Sequence, residues 1–128
     1  MKTYVFDTNS LIRYFLGDVE DQYSEIAKIL KEVEKGKTLA KLSILVIAEV
    51  VWVFGSVYKM DRSIFVPQLL DLILLKNLKI IECDKSLAMR VLGRFKETKF
   101  DFVDVYLSLI STKEELFSFD KDFKKLFR

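Results

Sequence analysis

Short apolar runs ended by polar residues alternate along this chain with longer stretches in which apolar residues recur every three or four positions. Lys2 to Phe6 reads as a strand, stopped by Asp7-Thr8-Asn9-Ser10, four residues that favour turns and helix N-caps. Leu11-Ile12 and Phe15-Leu16 then recur at helical spacing, and Gly17-Asp18 ends that helix. From Asp21 to Glu34, Ile26, Ile29, Leu30 and Val33 share one helical face, and Gly36 stops it. Leu39 to Ser43 suits a second strand. The run from Ile44 to Phe54 is long enough to favour helix, with strand as the alternative its many valines leave open.

Asp61 is placed to cap a helix from Arg62 to about Lys76, which Pro67 is expected to kink or delay. Leu78 to Glu82 is a third strand candidate. Lys85 to Lys96 stacks Leu87, Val91 and Phe95 four apart, and Asp101 opens another helix carrying Val105, Leu109 and Ile110. Leu116-Phe117-Ser118-Phe119 reads as a strand cut off by Asp120, as the first is cut off by Asp7. Strands alternating with helices imply an α/β fold whose parallel sheet is covered on both faces.

Glu49 interrupts this pattern. Its neighbours three and four residues away are Leu45, Val46, Trp52 and Val53, so on a helix it stands among apolar side chains. An unpaired carboxylate buried there costs several kcal/mol, roughly, or protonates. The expectation is a buried Glu49 compensated by a basic side chain, by hydrogen-bond donors or by a metal ion.

Composition narrows the chemistry. A chain of 128 residues, 51% hydrophobic and 31% charged, with no internal repeat, suits one ordered domain spanning residues 1–128. The first apolar run is too short for a signal-peptide core, and Glu49 sits in the longest one, so a cytoplasmic location without a membrane span is expected. Cys83, the only cysteine, excludes an intramolecular disulfide and reads as a small buried hydrophobe. The absence of histidine removes Ser-His and Cys-His devices and nearly all zinc patterns, leaving carboxylates as the main catalytic material. The net charge of +2 does not imply nucleic-acid binding, and the basic cluster Lys121, Lys124, Lys125 and Arg128 reads as a solvated tail.

In an open parallel sheet, ligands gather beyond the carboxyl ends of the strands, where Asp7 and Asp120 stand. Asp104 lies in the first turn of the helix for which Asp101 is the natural N-cap. Asp120 and Asp122, taken alone, read as turn and cap residues. Carboxylates brought together raise one another's pKa unless a cation neutralises them, and an all-oxygen donor set suits Mg²⁺ or Mn²⁺. Such an ion activates water and polarises a phosphoryl oxygen without a histidine base.

These residues resemble the PIN-domain ribonucleases, and among them the VapC-type toxins of prokaryotic toxin–antitoxin pairs. The matching pieces are Val5-Phe6-Asp7-Thr8-Asn9-Ser10-Leu11, then Ser43 followed by Ala48-Glu49-Val50-Val51-Trp52-Val53, then Asp101-Phe102-Val103-Asp104-Val105, and Ser118-Phe119-Asp120-Lys121-Asp122-Phe123. The resemblance implies a three-layer α/β/α sandwich with a short parallel sheet of four to five strands, and a Mg²⁺- or Mn²⁺-dependent endoribonuclease site. By that analogy Asp7 and Asp104 are direct metal ligands, Glu49 a ligand or a holder of metal-bound water, and Asp120 part of the same cluster. Thr8 or Asn9 would orient Asp7, Ser118 stands where threonine is usual, Asp122 is an outer contributor, and Asp101 is mostly a cap. Pro67 falls in a helix that usually runs unbroken, and an end at Arg128 leaves little for the family's last strand. A homodimer and a cognate VapB-like antitoxin are implied as partners.

Three functions follow from these residues. The first is metal-dependent hydrolysis of RNA, with Arg13, Lys41, Lys99 and Lys121 as candidate RNA contacts around the acidic centre. The second is a non-catalytic binding module in which Glu49 merely pairs with a buried Arg or Lys. The third is phosphoryl transfer through an aspartyl-phosphate at Asp7, a chemistry that commonly pairs the nucleophile with a second Asp where this chain has Asn9.

Overall fold

The computed structural model describes residues 1–127, so Arg128 of the basic C-terminal cluster lies outside the described residues. The elements follow the predicted alternation. They run β1 (Lys2–Val5), α1 (Thr8–Leu16), α2 (Glu20–Glu34), β2 (Thr38–Leu42), α3 (Ile44–Trp52), α4 (Arg62–Ile73), β3 (Leu78–Ile80), α5 (Lys85–Glu97) and α6 (Phe102–Ile110). A π-helical segment, Val53–Val57, extends α3, and a 3-10 segment, Lys121–Phe127, follows α6 after an irregular stretch.

Local chemistry explains most boundaries. The Asp7 carboxylate accepts from the Ser10 backbone N–H and starts α1, which Gly17 ends in the left-handed conformation at φ 62°. At the end of α2, Gly36 adopts φ 79°, and the Gly36 and Lys37 N–H groups return to the Val33 and Glu32 carbonyls. That paired closure satisfies two carbonyls otherwise left open at a helix end. Asp61 caps α4 through the N–H and hydroxyl of Ser63. The expected delay at Pro67 does not occur: α4 starts at Arg62 and runs through Pro67. It sits on the exposed side, where the one carbonyl it leaves unbonded, that of exposed Ser63, is open to water, and Phe65, Val66, Leu69, Leu72 and Ile73 anchor the buried side.

The sheet is parallel, in the order β1-β2-β3, with Val5 beside Lys41 and Lys41 beside Lys79. Ala40, Leu42, Leu78 and Ile80 turn one face into the core. On the other face Val5 is 65% exposed, and Lys41, Lys79 and Ile81 are exposed too, so the two-sided cover is incomplete.

Three strands, not the four to five anticipated, form among the described residues. The missing one is Leu116–Phe119, which forms no strand. Phe117 and Phe119 are 83% and 92% exposed and pack edge to face on each other. The Ser118 hydroxyl accepts from the Asp120 N–H, bending the chain where a strand would continue, and β1 is left at the sheet's edge.

A chain of rings crosses the single buried core. Phe15 of α1 meets Phe54 of the π-helical segment, which meets Phe65 of α4, then Phe95 of α5, then Phe102 of α6, with centroids 5.6–6.3 Å apart. This row fixes the start of α6 against the rest of the molecule. Among the described residues no helix is long and apolar enough to cross a membrane.

Candidate acidic site at the start of α6

The link from α5 to α6 is organised by one side chain from a distant part of the chain. Arg62, the first residue of α4, donates from Nη1 to the carbonyls of Phe95 (2.7 Å), Thr98 (2.8 Å) and Phe100 (2.8 Å). Its guanidinium also lies 3.7 Å from the Phe95 ring centre. These are carbonyls at a helix C-terminus, where partners are lacking and positive charge is favoured. Burial pulls the Arg62 pKa down, while Asp101 and Asp61 oppose that shift.

The link delivers Asp101 and Asp104. Asp101 takes the N-cap position of α6 with an extended backbone, but its side chain makes no capping bond. Capping therefore does not account for this carboxylate, contrary to the reading of Asp101 as mostly a cap. Asp104, half-buried one turn on, has its pKa raised, first by burial and then by the charges of Asp101 and Asp120. Asp101, Asp104, Asp120 and Asp122 line one cleft of about 570 Å³ together with Lys99 and Lys125. Asp120 accepts from the Asp122 N–H, and Asp122 pairs with Lys125 at 2.9 Å.

Asp7 and Glu49 do not line this cleft. Their elements are its neighbours, since α1 packs on α3 and α3 on α6. The expectation of a buried Glu49 is overturned: Glu49 is exposed and has no ion pair among the described residues. The run is more apolar than the core can absorb. Ile44, Ile47, Val50 and Val51 fill the buried face of α3, while Leu45 is 73% and Trp52 61% exposed on the face that carries Glu49. A binding module explained by a buried Glu49 ion pair loses its basis.

The group that holds Asp7 is Ser10, whose N–H and hydroxyl reach Oδ1 at 2.8 and 2.6 Å. Those two bonds lower the Asp7 pKa. Thr8 is half-buried and Asn9 exposed, and neither bonds to the Asp7 side chain. The spacing of Asp7 and Ser10, cap residue to third helical position, was the available signal. Glu82, just past β3, was also missed. It accepts from the Ser43 hydroxyl and from Ile44 N–H at 2.7 Å, closing the start of α3. Burial opposes its ionisation, but those bonds outweigh it and lower the pKa. Its strand-end position could have marked it. Of the four candidate RNA contacts, Lys99 lines the acidic cleft. Arg13 is bound to Asp18 at 2.7 Å and to the Tyr58 hydroxyl, Lys41 lies on the open face of the sheet, and Lys121 is exposed on the 3-10 segment.

The donor chemistry fits a hard divalent cation: carboxylate oxygens only, one of them destabilised by two like charges, and Asp7 with its Oδ2 unbonded. Among the described residues no three Asp, Glu or Cys side chains are close enough to hold one ion as a preformed cage. The PIN domain family profile matches residues 4–127, and the chain belongs to that family. PIN domains are generally nucleases and typically use divalent metals. Among curated proteins and among solved structures no significant match is found.

Two outcomes are expected. Arg62→Ala lowers stability in urea unfolding by roughly 2 to 4 kcal/mol, and Arg62→Lys restores it only in part, because an ammonium offers donors to the carbonyls but not the planar face that stacks on the Phe95 ring. Asp104 has a folded pKa above its unfolded one, so its protonated form is favoured in the fold. The penalty is absent well below pH 3.8 and grows as pH rises through the raised value. Asp104→Asn therefore raises Tm in metal-free buffer at pH 7, by a few degrees at most, and leaves it unchanged near pH 3.

Proposed function

We propose that this chain is a metal-dependent endoribonuclease, the toxin component of a VapBC-like toxin–antitoxin pair, that hydrolyses RNA phosphodiester bonds. The observation that carries the proposal is Asp104, half-buried near the charges of Asp101 and Asp120 in a cleft of a PIN domain, with no basic side chain bonded to it among the described residues. Asp104, Asp7, Glu49 and Asp120 are the groups assigned to hold Mg²⁺ or Mn²⁺. The chemistry such an ion supplies when bound is activation of water and neutralisation of charge on the phosphoryl oxygens.

The chain's own residues do the rest. Ser10 orients Asp7 through one oxygen and leaves the other free. Arg62 fixes the link that presents Asp101 and Asp104, and Lys99 on that link offers a cation to the RNA backbone beside the carboxylates. Asp101 joins the site in place of its expected capping role. The same family resemblance extends the proposal to a homodimer and to an antitoxin that blocks the acidic cleft with a basic residue.

The purified chain, free of any partner, is expected to cut a structured RNA at unpaired positions when Mg²⁺ or Mn²⁺ is supplied, and not in EDTA. Asp7→Asn and Asp104→Asn each lower the rate by about a hundredfold or more, as loss of a charge-stabilising group does. A folded chain that leaves a range of RNAs intact with either metal contradicts the proposal.

A further inference from the structure

Beside the acidic cleft lies a second, larger one of about 810 Å³, bounded by the end of α3, the π-helical segment, the start of α4 and the α5–α6 link. Asp101, Asp104 and Lys99 line both clefts, so the two adjoin along the α5–α6 link. We propose that this second cleft seats an unpaired RNA base next to the bond to be cut, with Trp52 as the stacking surface and Lys96 and Lys99 as contacts to the flanking phosphates. The proposal rests on the ribonuclease reading for the class of its ligand and goes beyond it in naming the base seat.

Trp52 carries the argument. A single exposed apolar side chain needs no explanation, but this indole is 61% exposed and lines a cleft that also holds Asp104. The other rings near it, Phe65, Phe95 and Phe102, are buried and engaged with one another, whereas Trp52 pairs with no ring among the described residues. A free indole face beside a charged pocket is what a base stacks on, with little regard to sequence. Gly55, on the next turn, leaves the space open: a Cβ there would meet nothing within 4 Å.

Charge favours a nucleotide over an apolar partner. Asp61, Asp101 and Asp104 would repel a phosphate on their own, and Lys96 and Lys99, with Arg62, balance them at the same cleft. Lys96 has only its sequence neighbour Glu97 near it, at 3.9 Å, and Lys99 forms no ion pair among the described residues. An aromatic face with cations at its side suits a single strand, since a duplex hides the faces of its bases.

Trp52 is the chain's only tryptophan, so its fluorescence reports on this cleft alone. In EDTA, where no cutting is expected, a single-stranded hexaribonucleotide should quench it saturably, while a duplex and a base-free oligomer of equal length should not. Anisotropy of the labelled hexamer should show Trp52→Ala weakening binding roughly tenfold and Trp52→Phe only slightly. The double variant Lys96→Ala/Lys99→Ala should weaken binding and flatten its salt dependence. Binding without quenching, equal quenching by the base-free oligomer, or quenching by an acidic tyrosine-bearing peptide but by no RNA each overturns the base seat. The two readings fail separately. Base-dependent quenching without cutting in Mg²⁺ or Mn²⁺ supports the seat and contradicts the nuclease; cutting unaffected by Trp52→Ala does the reverse.

Discussion

One guanidinium holds the link that carries the acidic cleft. Arg62 gathers the carbonyls of Phe95, Thr98 and Phe100 around Nη1 and covers the Phe95 ring, so the end of α5 turns sharply into α6. Without Arg62, the Phe95 carbonyl would keep only the long 3.4 Å bond from the Thr98 N–H, and the Thr98 and Phe100 carbonyls would lose their side-chain donor beside a row of phenylalanines. With it, the chain between them is fixed, and Asp101 and Asp104 project from a rigid base, which a charge-handling site requires. The same clamp places Lys99 at the meeting of the two clefts.

Such a base makes an electrostatic cost tolerable. Asp104 is half-buried with two like charges near it and no cation bonded to it, an arrangement that raises its pKa and weakens the fold at neutral pH. Carboxylates perturbed in this way cluster at functional sites. Asp7 contrasts with it: two donors from Ser10 satisfy one oxygen and lower its pKa.

What was legible in the sequence was what is decided locally. The Asp7 and Asp61 caps, the Gly17 and Gly36 stops and the amphipathic face of α2 follow from side chains a few residues apart, and the parallel α/β alternation follows from them. Features set by distant partners were not. Nothing beside Arg62 in the sequence signals that it reaches carbonyls more than thirty residues on. Glu49 was misread because an apolar run was taken for a buried one, while α3 in fact leaves Leu45 and Trp52 in solvent. That error was informative, since the exposed face it concealed holds the indole beside the acidic cleft. Leu116–Phe119 has the alternation of a strand, but a strand exists only with a partner, and the Ser118–Asp120 turn takes the chain elsewhere.

The proposed divalent cation would relieve the cost that burial and the charges of Asp101 and Asp120 impose on Asp104. Thermal unfolding of the partner-free chain at pH 7, followed as Mn²⁺ or Mg²⁺ is titrated, tests it most directly. A rise in Tm that grows with the logarithm of cation concentration is predicted, worth about 2.7 kcal/mol at a hundredfold excess over Kd, and largely lost in Asp104→Asn. A Tm indifferent to both cations, or a rise of equal size in Asp104→Asn, would contradict the account.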